Sequence, residues 1–509
     1  MLALLLAAAL RANAGPPIVV DVLNNTDVVR IDGDGLRDRA GERMASCDFD
    51  ADGLDDLVVT AWDADGPENS RSGAGEVYLI RGKRRAWRGP LSIASSREVM
   101  IVGQQPGDML GWGVTCDDLN GDGLDDVVMC AYGGDGADDS RPNCGQAHIV
   151  FGGPALPPLV DLASAPSPVI YGEEEDYGAF CQALKIGDLD GDGSGDLALD
   201  DMGRAGLVGT GWDWGRVYLL FGGTTWPNEI DLRTEADVTI YGRDKGDALG
   251  SNLAVGDLDA DGTADLLAVA KTADGPGNQR SNCGEIYVFH GRAVWPPRID
   301  LASEPPDMLI FGLDPDDLTA ATDGLELGDL DLDGSLEIEI GTGSADGAGN
   351  QRIASGEARV FEPGWPWPFS ADLRTETDSV IFGASAQDFF GTHVVIGDFN
   401  GDGTDDLVGG AQYANGPGEV RADCGEIVVF YGRSPFPAVL DLDVAGQDVL
   451  VYGAMASDQL QVNAVTDLNG DGLDEIVASG RAGSTTLLPA IWLISPLDVD
   501  GDGITQLPD

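Results

Sequence analysis

Short apolar runs separated by Gly-, Pro- and Asp-rich stretches recur along nearly the whole chain. The unit around residue 250 shows the pattern. Gly250-Ser-Asn-Leu-Ala-Val-Gly256 alternates loosely, and Leu266-Leu-Ala-Val-Ala270 is continuously apolar. Glu285-Ile-Tyr-Val-Phe289 and Met308-Leu-Ile-Phe-Gly312 follow. Runs of this length, rich in β-branched and aromatic residues and bounded by turn residues, predict strands, here lettered A to D. Strand C recurs as Glu76-Val-Tyr-Leu-Ile80, Ala147-His-Ile-Val-Phe151 and Val217-Tyr-Leu-Leu-Phe221, and D ends in Tyr171-Gly172, Tyr241-Gly242, Phe382-Gly383 and Tyr452-Gly453. A connector with Trp226-Pro, Trp295-Pro, Trp365-Pro or Phe436-Pro then leads to Asp-Leu. Four short strands per unit predict one antiparallel sheet per repeat, a propeller blade, with the connector aromatics packing blade on blade.

Between A and B every unit carries an acidic loop. Loops start at Asp48, Asp118, Asp188, Asp257, Asp329, Asp398 and Asp467, in steps of 70, 70, 69, 72, 69 and 69 residues. Position 3 is Asp50, Asn120, Asp190, Asp259, Asp331, Asn400 and Asn469. Position 5 is Asp52, Asp122, Asp192, Asp261, Asp333, Asp402 and Asp471, and position 9 is Asp56, Asp126, Asp196, Asp265, Glu337, Asp406 and Glu475. Odd-numbered spacing aims alternate oxygens at one point, and Gly at position 6 permits the sharp turn. Every replacement keeps an oxygen donor, which a hard cation needs and a generic acidic turn does not. The loops predict Ca²⁺ sites, up to seven, one per blade. They are not EF-hands, because position 12 falls in an apolar strand such as Leu57-Val-Val-Thr60 rather than on a helical Glu.

The seventh unit offers A near Val462–Thr466, B near Ile476–Ala478 and C near Leu488–Ile494, but no fourth strand. Asp27-Val-Val-Arg-Ile-Asp-Gly33 reads as an orphan D strand. The expected fold is therefore an all-β, seven-bladed propeller of four-stranded blades over residues 15–497, its ring closed by this N-terminal strand. The apolar run Met1–Leu10 before Ala12-Asn-Ala14 resembles a secretory leader over 1–14, and 498–509 reads as an acidic tail with a possible calcium-loop fragment.

The net charge of −59 argues against nucleic acid or anionic membrane as a partner, and no apolar run is long enough to span a bilayer. Seven cysteines cannot all pair; Cys130 and Cys144 bracket one loop and could meet. Cys144, Cys283 and Cys424 hold one equivalent position in three units, and small buried thiols are the reading for most. Their spacings do not match a zinc site, and His148, His290 and His393 are scattered.

The ordered set of an aromatic-Gly strand end, an Asp-x-Asp/Asn-x-Asp-Gly-x-x-Asp loop and Gly-Glu-Val-Tyr resembles FG-GAP repeats, those of the integrin alpha-chain propeller and its bacterial relatives. The resemblance covers roughly residues 28–494. It implies calcium in the A–B loops of one face, ligand recognition on the opposite face, and adhesion as the activity. Such blades also accompany a phospholipase D that releases lipid-anchored proteins, where a separate zinc-binding domain does the chemistry.

On that opposite face, B–C loops carry Arg71, Arg141, Arg280 and Arg352 within a recurring Asp-Gly-x-x-Asn/Asp-x-Arg pattern, with Arg421 a looser match. They read either as a ring that grips a carboxylate, sulfate or sugar, or as pins that fix their own loops to acidic neighbours. The irregular third unit adds Trp212 and Trp214 as candidate ligand contacts. Arg81, Lys83, Arg84, Arg85 and Arg88 form a basic cluster that reads as a solvated turn. The leading expectation is a non-catalytic, calcium-stabilised, secreted or cell-surface adhesion module of bacterial type, with a protein or glycan ligand. The alternatives are a lectin-like glycan binder, or a hydrolase of extracellular glycan or lipid. A hydrolase would show an Asp or Glu pair facing the central channel, outside the calcium loops.

Overall fold

A computed structural model describes residues 17–495 apart from 24, 26–27, 85–86, 166, 174–177, 205–213, 322, 365, 445 and 481–487. The leader, the acidic tail, Arg85, Trp212 and Trp365 lie outside the described residues.

Blade four shows how the repeat folds. Strand A is Leu249–Gly256, B is Asp265–Ala270, C is Glu285–Phe289 and D is Met308–Phe311, joined in antiparallel order. Strands B and C are buried along their whole length. That explains the continuous apolar run of B: each sheet is covered on both faces by its neighbours, so alternation has no solvent side to report. One core cluster joins Ala198, Val217 and Leu219 of blade three to Leu266, Ala268 and Tyr287 of blade four.

The described residues form seven such sheets, each five-stranded rather than four-stranded. The extra outer strand comes from the connector of the following unit. Ser370–Asp372 pairs in parallel with strand D of blade four, and Leu159–Asp161 does the same for D of blade one, Val99–Val102. The connector's Asp-Leu motif is thus a short strand, and its parallel pairing was invisible to a rule that expects hairpins. Strand Val28–Asp32 pairs antiparallel with Ala490–Ile494 and stands as strand D of blade seven. Ile18–Asp21 pairs in parallel with Val449–Tyr452 of blade six.

Connector tryptophans pack on the preceding blade. Trp295 Nε1 donates to the Leu189 carbonyl at 3.0 Å, inside the acidic loop of blade three. Two disulfides, Cys47–Cys116 and Cys130–Cys181, tie blade one to blade two and blade two to blade three. The expected Cys130–Cys144 pairing is not formed. Cys130 points across to blade three, whereas the Cys144 thiol is buried against the Gly145 carbonyl. Cys144, Cys283 and Cys424 are free and buried.

Candidate metal centres, the opposite face and the channel

Each acidic loop is wound around its first carboxylate. In blade four, Asp257 Oδ1 accepts from the Asp261 amide at 3.0 Å and Oδ2 accepts from the Gly262 amide at 2.8 Å. Asp48, Asp188, Asp329, Asp398 and Asp467 accept the equivalent pairs of amides. Position 6 is left-handed, with φ of 91° at Gly262 and 92° at Gly334, a region only Gly enters without strain. Position 4 is left-handed as well, and in three loops it is not Gly: Ala51, Ala260 and Leu332.

The position 9 carboxylate is buried and closes the loop against the end of strand C. Asp56, Asp126, Asp196, Asp265 and Asp406 each accept from the amide of Gly82, Gly152, Gly222, Gly291 and Gly432 respectively, at 2.7 to 2.9 Å. Burial, joined by neighbouring carboxylates, pushes Asp56, Asp126, Asp196 and Asp406 up to about 7 and Glu337 and Glu475 to about 8. Oxygens of Asp48, Asp50 and Asp56 converge within 4.8 Å of one another, as do those of Asp188, Asp190 and Asp196, and of Asp329, Asp331 and Asp333. Asp56 Oδ2, Asp126 Oδ2 and Asp331 Oδ1 are buried without a hydrogen-bond partner. Converging, desolvated, partly orphaned oxygens are a donor set that fits a hard divalent cation.

Neighbouring loops are linked to one another. The Asp48 amide donates to Asp125 Oδ2 of the next loop at 2.9 Å, and the Asp329 amide donates to Asp405 Oδ2 at 2.9 Å. The Ala264 amide reaches the Asp188 carbonyl at 2.9 Å. Fixing one loop therefore helps to fix the register of the blade beside it.

On the opposite face each B–C arginine is turned to the outer strand of its own sheet, a strand that the chain supplies from another unit. Arg71 makes a bidentate pair with Asp161 at 2.9 and 3.0 Å, and Arg280 pairs with Asp372 at 3.0 and 2.6 Å. Arg141 meets Asp231 at 3.0 Å, Arg352 meets Asp441 at 2.7 Å, and Arg421 meets Asp21 at 3.0 and 2.9 Å. Every acceptor is the Asp that ends an outer strand, so these guanidinium groups lock a B–C loop to a connector strand. Trp214 is exposed. Asp108, Asp247 and Asp317 recur in the D–A loops of this face, raised to about 7 by burial first and then mainly by neighbouring carboxylates.

The inner strands enclose a central cavity of 470 Å³ lined by Arg43, Lys185, Lys271, Asp323, Glu326 and His393 among others. Arg43 of blade one bonds Asp323 of blade five across it, and His393 Nε2 lies 3.3 Å from the same carboxylate. Lys185 of blade three reaches Glu326 at 3.1 Å. Burial opposes ionisation of Asp323, but Arg43 and His393 outweigh it and hold the carboxyl well below its usual range. A second cavity, of 710 Å³, opens on the D–A side between Asp34–Asp38 and Pro67–Asn69, with Glu76, Tyr78 and Arg97 in its lining.

The model of the FG-GAP repeat matches residues 40–80 and 390–422, each spanning an acidic loop and its flanking strands. The chain carries FG-GAP repeats. This FG-GAP propeller is similar to phosphatidylinositol-glycan-specific phospholipase D of Bos taurus, at 29% identity over 226 residues, 44% of this chain and 25% of that protein. It is similar to the Rattus norvegicus enzyme at 33% over 201 residues, 39% and 22% of the two chains, and to the Homo sapiens enzyme at 30% over 185 residues, 35% and 20%. The FG-GAP propeller thus spans about a quarter or less of the length of the curated relatives it matches. Among solved structures, the exotype rhamnogalacturonan lyase YesX aligns with a TM-score of 0.37 at 13% identity, covering 92% of this chain and 76% of that one.

The expectation that the chain is no enzyme is corrected by these relatives, which bear the name of a hydrolase. Two carboxylates outside the acidic loops, Asp323 and Glu326, line the channel, each paired with a cationic side chain. Sequence reasoning missed both, and His393 with them, because nothing in a single repeat marks residues that meet only across the ring. No helix among the described residues is long and apolar enough to cross a membrane.

Proposed function

We propose that this FG-GAP propeller serves the hydrolysis of an extracellular glycan-bearing phospholipid of the phosphatidylinositol-glycan class, with calcium seated in its A–B loops. The observation that carries the reading is the similarity to phospholipase D of that specificity in several organisms. The channel supports it chemically. Arg43 and Lys185 are the side chains suited to a phosphodiester's anionic oxygens, each releasing its carboxylate partner as the ligand enters. His393, with Nε2 3.3 Å from Asp323, is our candidate for the proton carrier.

Calcium would bind through positions 1, 3, 5 and 9 and stabilise the folded ring, since only the folded loop gathers those oxygens. At a hundredfold excess over its dissociation constant each ion adds about 2.7 kcal/mol. The test uses the full chain and vesicles doped with a phosphatidylinositol-glycan-anchored protein. Expected are vesicle binding and release of the anchored protein in calcium, both lost in chelator together with a lower melting temperature. Equal binding to plain phosphatidylcholine vesicles, with no release, overturns the reading.

A further inference from the structure

The seven acidic loops share a backbone but not the residue that follows strand C. That position is Phe151 and Phe221 in blades two and three, Tyr431 in blade six and Arg81 in blade one. Arg81 shows where such a residue reaches, with Nε 2.8 Å from Asp50 Oδ2 at loop position 3. In blade four the residue is His290, and its imidazole enters the same place. Nδ1 lies 3.2 Å from Asp259 Oδ2 and 3.5 Å from Asp265 Oδ1. Donor atoms of these three side chains all fall within 4.8 Å of one another.

The donor set, one imidazole nitrogen with carboxylate oxygens, discriminates between ions. Donors bound at 2.0–2.1 Å on the corners of a tetrahedron stand about 3.3 Å apart, a spacing that the two N···O distances here fit without excluding a larger ion, so the nitrogen donor carries the discrimination. Calcium takes six to eight oxygens at longer distances and gains little from an imidazole. Zinc and its neighbours in the first transition row accept imidazole nitrogen and carboxylate together. The surroundings hold the set in place. The ring stacks on Trp367 at a centroid distance of 3.8 Å and an interplanar angle of 5°. The His290 amide donates to Asp307 Oδ2 at 2.9 Å, its carbonyl accepts from Arg292 Nε at 2.9 Å, and Asp265 Oδ2 accepts from the Leu258 amide at 2.9 Å. Outer-shell bonds of this kind orient metal ligands before the ion arrives.

We propose that blade four carries a site for a divalent transition ion of the zinc class, formed by His290 Nδ1, Asp259 and Asp265. The proposal is independent of the hydrolase reading. Asp259 and Asp265 are positions 3 and 9 of the blade-four loop, so this ion takes the place of calcium there, and the other loops need not hold calcium. The competing occupant is a proton, with an imidazolium ion simply paired to the two carboxylates.

The test is a cobalt titration of the full chain held in saturating calcium. One equivalent of Co²⁺ should give a visible absorption band of tetrahedral intensity, which Zn²⁺ then displaces. His290→Phe places the residue of blades two and three at this position, and His290→Gln keeps a polar side chain of similar size. Both should lose the band while retaining the parent's circular dichroism, whereas His393→Ala should keep it. Absence of the band in the calcium-saturated parent, or its survival in both His290 variants, overturns the proposal.

Discussion

Glu339 lies in strand B of blade five, Glu337–Thr342, fully buried, with neither carboxyl oxygen hydrogen-bonded. The equivalent residues in other blades are Val58, Val128, Leu267 and Val408, all at the core. An unsatisfied buried polar group costs about 1–3 kcal/mol. Glu339→Val should therefore stabilise the protein by about 2 kcal/mol, seen as a higher midpoint in thermal or denaturant unfolding; a lower midpoint would mean the carboxyl has a hidden partner. At this scale the sequence was readable where chemistry repeats. Carboxylates at positions 1 and 9 announced themselves seven times over, and the left-handed Gly at position 6 followed from the turn they need. His290, Arg81 and Glu339 were not legible, because each is a departure from its own repeat whose consequence depends on what the neighbouring chain puts beside it.

The element that most needed the structure is the outer strand. Its residues, such as Ser370-Ala-Asp372, form a three-residue strand, too short for an alternation argument, and its partner lies in the previous unit. The A, B, C and D strands were readable to within a residue or two, since buried apolar runs between Gly turns have few other uses. The outer strand is held by a B–C arginine as well as by backbone bonds. Arg280 also donates to the Gly312 carbonyl at 2.5 Å, so one guanidinium ties a loop, a D strand and an outer strand. Arg280→Ala removes a partly buried bidentate pair and should cost about 1–3 kcal/mol, with hydrogen exchange rising first in 370–372. Arg280→Lys should recover only part, because an ammonium cannot bridge both carboxylate oxygens and the carbonyl in one plane. Full recovery by lysine would show that charge alone holds the strand.

Across the whole molecule, both faces gather carboxylates whose proton affinity folding raises, the acidic loops on one face and the D–A loops on the other. Asp108, Asp247 and Asp317 are raised to about 7, and Asp38 and Asp388 to about 6, by burial first. Unfolded, each returns to about 3.9. The folded state then binds more protons than the unfolded state over that window, so this contribution to stability is present at low pH and disappears as pH rises through 6 to 7. In saturating calcium, Asp247→Asn combined with Asp317→Asn should make the melting temperature fall less steeply than the parent's between about pH 5 and 8. An unchanged slope would place the pH dependence elsewhere. The outer strands carry a further consequence for how the protein is made. Ile18–Asp21 and Val28–Asp32 leave the ribosome before the blades of this ring exist, yet their partners, Val449–Tyr452 and Ala490–Ile494, belong to blades six and seven. These strands must wait, unpaired, for the rest of the ring, and an interrupted translation product would carry two naked strands ready to pair with a stranger.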